Sequence, residues 1–139
     1  MFKRVFVAGV CVAVLGATSL GAVASAAPAQ GSSALQGRTA QGRRIRLALG
    51  RDSVEIKRFT VQLRCRGGDV LVDEESGFQP TPVKPGGRLH DDQLGSTDEV
   101  RLRGHLGGRR LQGAIRVTDR LAGARCDSRW VKFTASQRG

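Results

Sequence analysis

From Leu35 onward, apolar residues recur at every second position in short runs divided by Gly, Pro, Asp and Ser. A period of two marks a strand, because successive strand side chains point to opposite faces of a sheet. The pattern is clearest in the C-terminal third. Val100, Leu102, Leu106, Leu111, Ile115 and Val117 fall on alternating positions either side of Gly107-Gly108. That spacing predicts a β-hairpin, followed by Cys126 and a closing strand around Trp130-Val131-Lys132-Phe133.

Upstream, the same reading predicts a strand over Leu35–Thr39, a turn at Gln41-Gly42, and a strand over Arg43–Leu49 with Ile45, Leu47 and Leu49 on one face. Gly50-Arg51-Asp52-Ser53 is turn chemistry. The longest strand is expected over Val54–Arg66, and its apolar phase switches partway. Val54 and Ile56 are even-numbered, whereas Phe59, Val61, Leu63 and Cys65 are odd. One face holds both sets only if a bulge or break intervenes near Lys57-Arg58. After Gly67-Gly68, Val70 and Val72 predict a shorter strand ending in Asp73-Glu74-Glu75.

Residues 76–98 contain Pro80, Pro82, Pro85 and Gly86-Gly87. Prolines argue against a central strand there. Phe78 and Val83 are expected as a short strand or a packed flap, and Leu89–Leu94 as one helical turn. No long stretch sustains a helical period. The fold class is therefore all-β, one small antiparallel sandwich or barrel over residues 35–137. Its shared core is expected to contain Ile45, Leu47, Val61, Leu63, Leu102, Leu111, Ile115 and Val117.

The beginning of the 139-residue chain has a different character. Met1-Phe2-Lys3-Arg4 is basic, Val5–Leu20 is apolar and uncharged, and Ala24-Ser25-Ala26 precedes Ala27-Pro28. This order predicts a secretory signal peptide over residues 1–26, cleaved after Ala26 or alternatively after Ala24. The apolar run is also long enough to anchor a helix in a bilayer, which the small-residue tail argues against. Cys11 follows Val10 inside the apolar run, out of place for lipid attachment. Ala27–Ser33 then reads as a flexible leader, with residues 27–34 preceding the domain. The expected location is secreted or extracytoplasmic, in the cell envelope, with no membrane contact after cleavage.

Cysteine usage fits that compartment. Without Cys11, two thiols remain, Cys65 and Cys126, each at the end of a strand-like run. A disulfide between them is expected in an oxidising setting. Two cysteines alone give too few ligands for a structural metal site.

Five segments carry a family resemblance. They are Gly37–Ile45, Phe59–Cys65, Leu111–Thr118, Cys126-Asp127-Ser128 and Val131–Ala135. Together they resemble a type of small secreted bacterial β-domain to which no activity is attached. The resemblance implies a framework of turns, strands and paired cysteines, and no catalytic group. Where such domains commonly have an aromatic residue in a Gly-rich hairpin, this chain has Leu106-Gly107-Gly108.

Signals of catalysis are sparse. The two histidines are His90 and His105. His105 is in phase with Arg101 and Arg103 and is expected to point outward. His90-Asp91-Asp92 is the one grouping that could serve acid–base or metal chemistry, and a solvated loop is its ordinary reading. No G-x-S-x-G turn, H-E-x-x-H or phosphate-binding loop occurs. The acids Asp91, Asp92, Asp98 and Glu99 lack the spacing of a calcium loop. No catalytic residue, cofactor or metal is expected, and the chain is not read as an enzyme.

Charge is more informative. The net charge is +11, of which Lys3 and Arg4 supply two, and the pI is about 11.3. Arg44, Arg46, Arg58, Arg64, Arg101, Arg103, Arg110 and Arg116 occupy strand positions out of phase with the apolar set. The acids gather at turns and in residues 73–99. An arginine face with few local partners would attract polyanions. Arg44, Arg46, Arg101, Arg103 and Arg116 are the expected binding residues. Anionic cell-envelope polymers suit the compartment. Specific nucleic-acid binding is not expected, since stacking aromatics are missing from the basic face. Sugar recognition by aromatic stacking has little support either, since Trp130 is the only candidate for an exposed ring. The favoured reading is a non-catalytic, basic, secreted binding domain. The alternative is a protein inhibitor or interaction module using the 76–98 loop, and a third reading is a small hydrolase built on His90. Nothing in the sequence fixes an oligomeric state.

Overall fold

A computed structural model describes residues 32–75, 77–95 and 98–137. The expected signal peptide, residues 1–26, and most of the leader lie outside the described residues. Among those described, regular structure is entirely β. The strands are β1 Ser33–Thr39, β2 Arg44–Leu49, β3 Ser53–Cys65, β4 Gly68–Glu75, β5 Thr81–Pro82, β6 Arg88–Leu94, β7 Asp98–Gly107, β8 Arg110–Leu121, β9 Ala124–Asp127 and β10 Val131–Gln137. Ser33 and Ala34, expected in the leader, begin β1, where they pair with Leu49 and Ala48.

The hydrogen-bonded order β1-β2-β3-β9-β8-β10 returns to β1 and closes a six-strand antiparallel barrel. Closure leaves these strands no free edge. β4 and β5 pair with β3 outside the ring, while β7 and then β6 extend from β8. Of the two expected architectures, the barrel is the one formed.

The phase switch in β3 is a bulge. Ile45 pairs with Phe59 and Arg46 with Arg58, and then Leu47 pairs with Ile56, leaving Lys57 unmatched. The extra residue turns both apolar sets inward, so Val54, Ile56, Phe59, Val61 and Leu63 are all at most 1% exposed. The eight expected core residues share this core, none more than 1% exposed. The β7–β8 hairpin turns on Gly108-Arg109, with φ +59° at Gly108. Glycine at the first central position suits the tight turn whose twist matches the flanking strands.

Residues 76–98 depart from expectation. Leu89–Leu94 is part of β6, paired residue for residue with β7 from Arg88↔His105 to Leu94↔Glu99. No proline falls within β6. The three prolines lie upstream of it, so every residue of β6 keeps the N–H it needs to pair with β7. β5 meets β6 through side chains. Thr81 donates to Asp91 at 2.9 Å, and Gln93 exchanges two hydrogen bonds with the Gln79 backbone.

The Cys65–Cys126 disulfide is present. It sits at the barrel's thinnest seam, where β3 and β9 share one residue pair, Arg64↔Asp127. A disulfide is consistent with an oxidising, extracytoplasmic setting.

Candidate anion-binding face

Strand register sets the outer face. Across six strands, Arg44 lies beside Arg38, Arg38 beside Thr134, Thr134 beside Gln112, Gln112 beside His105 and His105 beside Arg88. Two residues along, Lys132, Ala114, Arg103 and His90 form a second row. A third contains Arg116, Arg101 and Asp92. Neighbouring residues in a row are about 5 Å apart.

These rows differ in how their charges are matched. Arg101 and Arg116 face each other, and each has acids at hand. Arg116 makes a two-pronged contact to Asp127 at 2.6 and 3.0 Å. Arg101 reaches Glu99 at 2.6 Å and Asp92 at 3.6 Å. The hydrogen bond from Arg116 holds the Asp127 carboxyl below its ordinary range, and Asp127 in turn raises Arg116. Arg58, opposite Arg46, is likewise matched by Asp73 and Glu75. The expectation that strand arginines have few local partners is thus corrected for Arg58, Arg101 and Arg116. Each is flanked by a carboxylate that is distant in sequence or two residues away on the same strand face.

Arg38, Arg43, Arg44 and Arg46 have no ion-pair partner among the described residues. Arg38 donates to the Gly42 carbonyl at 3.0 Å, which leaves its charge unneutralised. They line two adjoining clefts over β1 and β2. Directly opposed like charges are destabilising in a sheet, and Arg38↔Arg44 is such a pair with no acid to relieve it.

Arg103 is different again. Its guanidinium carbon lies 4.0 Å from the centroid of the Trp130 ring, a cation–π arrangement. Both residues line an open groove of about 740 Å³ with Lys84, Arg88, His105 and Lys132 on its rim. Of the groove's cations, sequence reasoning singled out Arg103 alone. Lys84 and Arg88 were hidden by the loop assignment, and Lys132 carried no signal beyond being out of phase with Val131 and Phe133.

The His90-Asp91-Asp92 grouping is split by strand alternation. His90 and Asp92 are on the outer face, 4.0 Å apart, whereas Asp91 accepts hydrogen bonds from Thr81 and Gln93 on the other side. No set of three metal-ligating side chains occurs among the described residues.

At the far end of the β7–β8 hairpin, Glu74 sits near Asp98, Asp119 and Asp73. Burial, then these like charges, push its carboxyl above the ordinary range. Neither a family model, nor a curated protein, nor a solved structure matches this chain.

Proposed function

We propose that this chain is a secreted, non-catalytic domain that binds anionic polymers of the cell envelope through the outer face of its barrel. The observation that carries the reading is the Arg38↔Arg44 pair. Arg46↔Arg58 and Arg101↔Arg116 include arginines ion-paired to carboxylates, and Arg120↔Arg125 shares a depression with Asp98, Glu99 and Asp119. No carboxylate lines the clefts of Arg38↔Arg44, though the pair costs stability. A local rule broken without internal compensation is the mark of a surface kept for a ligand. Each guanidinium can offer two parallel hydrogen bonds to a phosphate or carboxylate. The signal peptide in the sequence supplies the compartment, and the disulfide agrees with it.

The test is binding of inorganic polyphosphate and of cell-wall fractions at low and physiological salt. Affinity should fall steeply with salt, because exposed charges are screened. Replacing Arg38, Arg44 and Arg46 with threonine should weaken binding by about 1.5 kcal/mol, roughly tenfold. Relief of the like-charge pair should leave the melting temperature unchanged or slightly higher. Unaltered affinity in the triple variant, or no binding by the wild type at low salt, overturns the proposal.

A further inference from the structure

The two basic regions of the outer face are continuous. The row from Arg44 on β2 to Arg88 on β6 crosses six strands, a span of roughly 24 Å at ordinary strand spacing. Arg38 belongs to the clefts over β1 and β2 and also to a shallower depression shared with Gln112 and Lys132. Those two residues line the Trp130 groove as well. A linear ligand could therefore lie across the strands from the groove to the unmatched arginines without crossing an acidic residue of that row.

The groove is not simply more of the same positive surface. Its floor is Gly104, Gly113 and Ala114, bare backbone and one methyl group. A Cβ on Gly113 would stand 2.5 Å from the Arg103 carbonyl and 2.8 Å from the buried Phe133 ring, so glycine here lets Phe133 pack directly beneath the strand. Trp130 forms a wall, and no carboxylate lines the groove. Arg103 is already held on the Trp130 ring, which reduces the ordering cost of presenting its fork of N–H donors. A ligand for such a site must bring an apolar face and an anionic group together. Polyphosphate has the charge and no apolar face. Nucleic acid brings both, but its bases need successive aromatic platforms. Phe59 and Phe133 are in the core, and Phe78 packs on Phe59 with ring centroids 5.5 Å apart. A sugar ring bearing a carboxylate meets both requirements with one tryptophan.

We infer that the Trp130 groove is a saccharide-reading subsite. It takes a uronic-acid unit of an acidic polysaccharide, whose neighbouring units run along the row toward Arg38 and Arg44. The inference rests on the polyanion-binding reading and names the class of polymer.

Trp130 is the sole tryptophan of the chain and tyrosine is absent, so the protein's indole emission reports on this groove alone. The emission is followed while the protein is titrated with a short oligogalacturonate, with inorganic polyphosphate and with a single-stranded oligonucleotide. Oligogalacturonate should change the emission. Read by isothermal titration calorimetry, which needs no indole, Trp130→Ala should weaken its binding roughly tenfold while leaving polyphosphate affinity within about twofold. Arg103→Gln should weaken oligogalacturonate binding more than polyphosphate binding. Trp130→Phe, which keeps a ring, should retain most of the affinity, and its melting curve separates loss of binding from loss of fold. If oligogalacturonate binds without moving the emission, or Trp130→Ala and Arg103→Gln weaken all ligands equally, the subsite is refuted and polyanion binding stands. If the oligonucleotide moves the emission and depends on Trp130 more than the sugar does, the groove reads bases and the inference is overturned. If the Trp130 response survives while the Arg38/Arg44/Arg46 variant binds every ligand as wild type does, the groove stands and the arginine-face proposal falls. If no ligand binds at low salt, both fall.

Discussion

Replacing Cys65 and Cys126 together with alanine should cost about 4 kcal/mol of stability. Their sequence separation is 61 residues. In the chain-entropy account, a cross-link closing a loop of that size withholds about 4 kcal/mol of disorder from the unfolded chain. Small domains have roughly 5–15 kcal/mol in all, so the loss is between a quarter and most of the total. For a domain of this length, each kcal/mol moves the melting temperature by about 4–8 °C, which puts the expected fall at roughly 15–30 °C. The perturbation also falls on the seam where β3 and β9 share only Arg64↔Asp127, while β9 stays attached to β8 by four residue pairs. Urea unfolding of the double variant, and of wild type under reductant, should give matching midpoints well below that of the oxidised protein. The denaturant slope should rise, because an uncross-linked chain exposes more surface when unfolded. A loss under about 1 kcal/mol in both would refute the entropic argument. Closure at that seam would then rest on the Arg64↔Asp127 pair and the packed core.

Ile115 has no solvent exposure and lies between Leu102 of β7 and Val131 of β10. Ile115→Ala should cost about 2–5 kcal/mol in denaturant unfolding, the lost transfer energy plus the cavity, and a wild-type melt would contradict the hairpin register. For Glu74, whose carboxyl is raised by burial and by Asp98, Asp119 and Asp73, the native state holds its proton more tightly than the unfolded chain does. Stability from this group is present below its ordinary pKa and declines as pH rises through the raised value, so Glu74→Gln should melt higher than wild type at neutral pH. Asp127 and Asp73 are lowered by Arg116 and Arg58 and act oppositely. Their contribution is present above the ordinary carboxylate pKa and lost as pH falls through the lowered values. Melting temperature against pH should therefore drop on the acid side, and Asp127→Asn should flatten that drop.

Much of the barrel was legible because period-two alternation directly encodes which side of a strand is buried. The bulge at Lys57 was readable for the same reason, since the switch from Val54 and Ile56 to Phe59 and Val61 has few other solutions. β6 was not, because Leu89 is its single buried apolar residue and Asp91 and Gln93 take the inner positions beyond it. An inner face that bonds to Thr81 and Gln79 leaves no hydrophobic pattern to read. The site was half legible. Alternation placed Arg44, Arg46, Arg101, Arg103 and Arg116 outside, but which of them keep their charge depends on cross-strand register and on acids brought from other strands. Asp127 beside Arg116 and Asp73 beside Arg58 are such cases. Trp130 under Arg103 is another, since it requires β10 to lie next to β8.

The same register polarises the molecule along the β7–β8 hairpin. Asp98 pairs with Asp119 at one end, and Glu74 is close enough for its carboxyl to be raised by both. His105 pairs with Gln112 seven residues further along β7, roughly 23 Å away at ordinary strand rise. Arg88 is level with His105 and Lys132 with Arg103, and Lys84 lines the same groove. Mixing these charges would relieve both the acid cluster and the Arg38↔Arg44 pair, so separating them costs stability twice. What separation provides is a gradient, which would bias the approach of a polyanion. No carboxylate lines the groove, and Asp98, Asp119 and Glu74 gather near the other end beside Arg120 and Arg125. Each opposed like-charge pair costs on the order of 0.2–1 kcal/mol. That is small against the roughly 4 kcal/mol expected from the cross-link. A small barrel can therefore carry this uncompensated surface because one covalent bond closes its weakest seam.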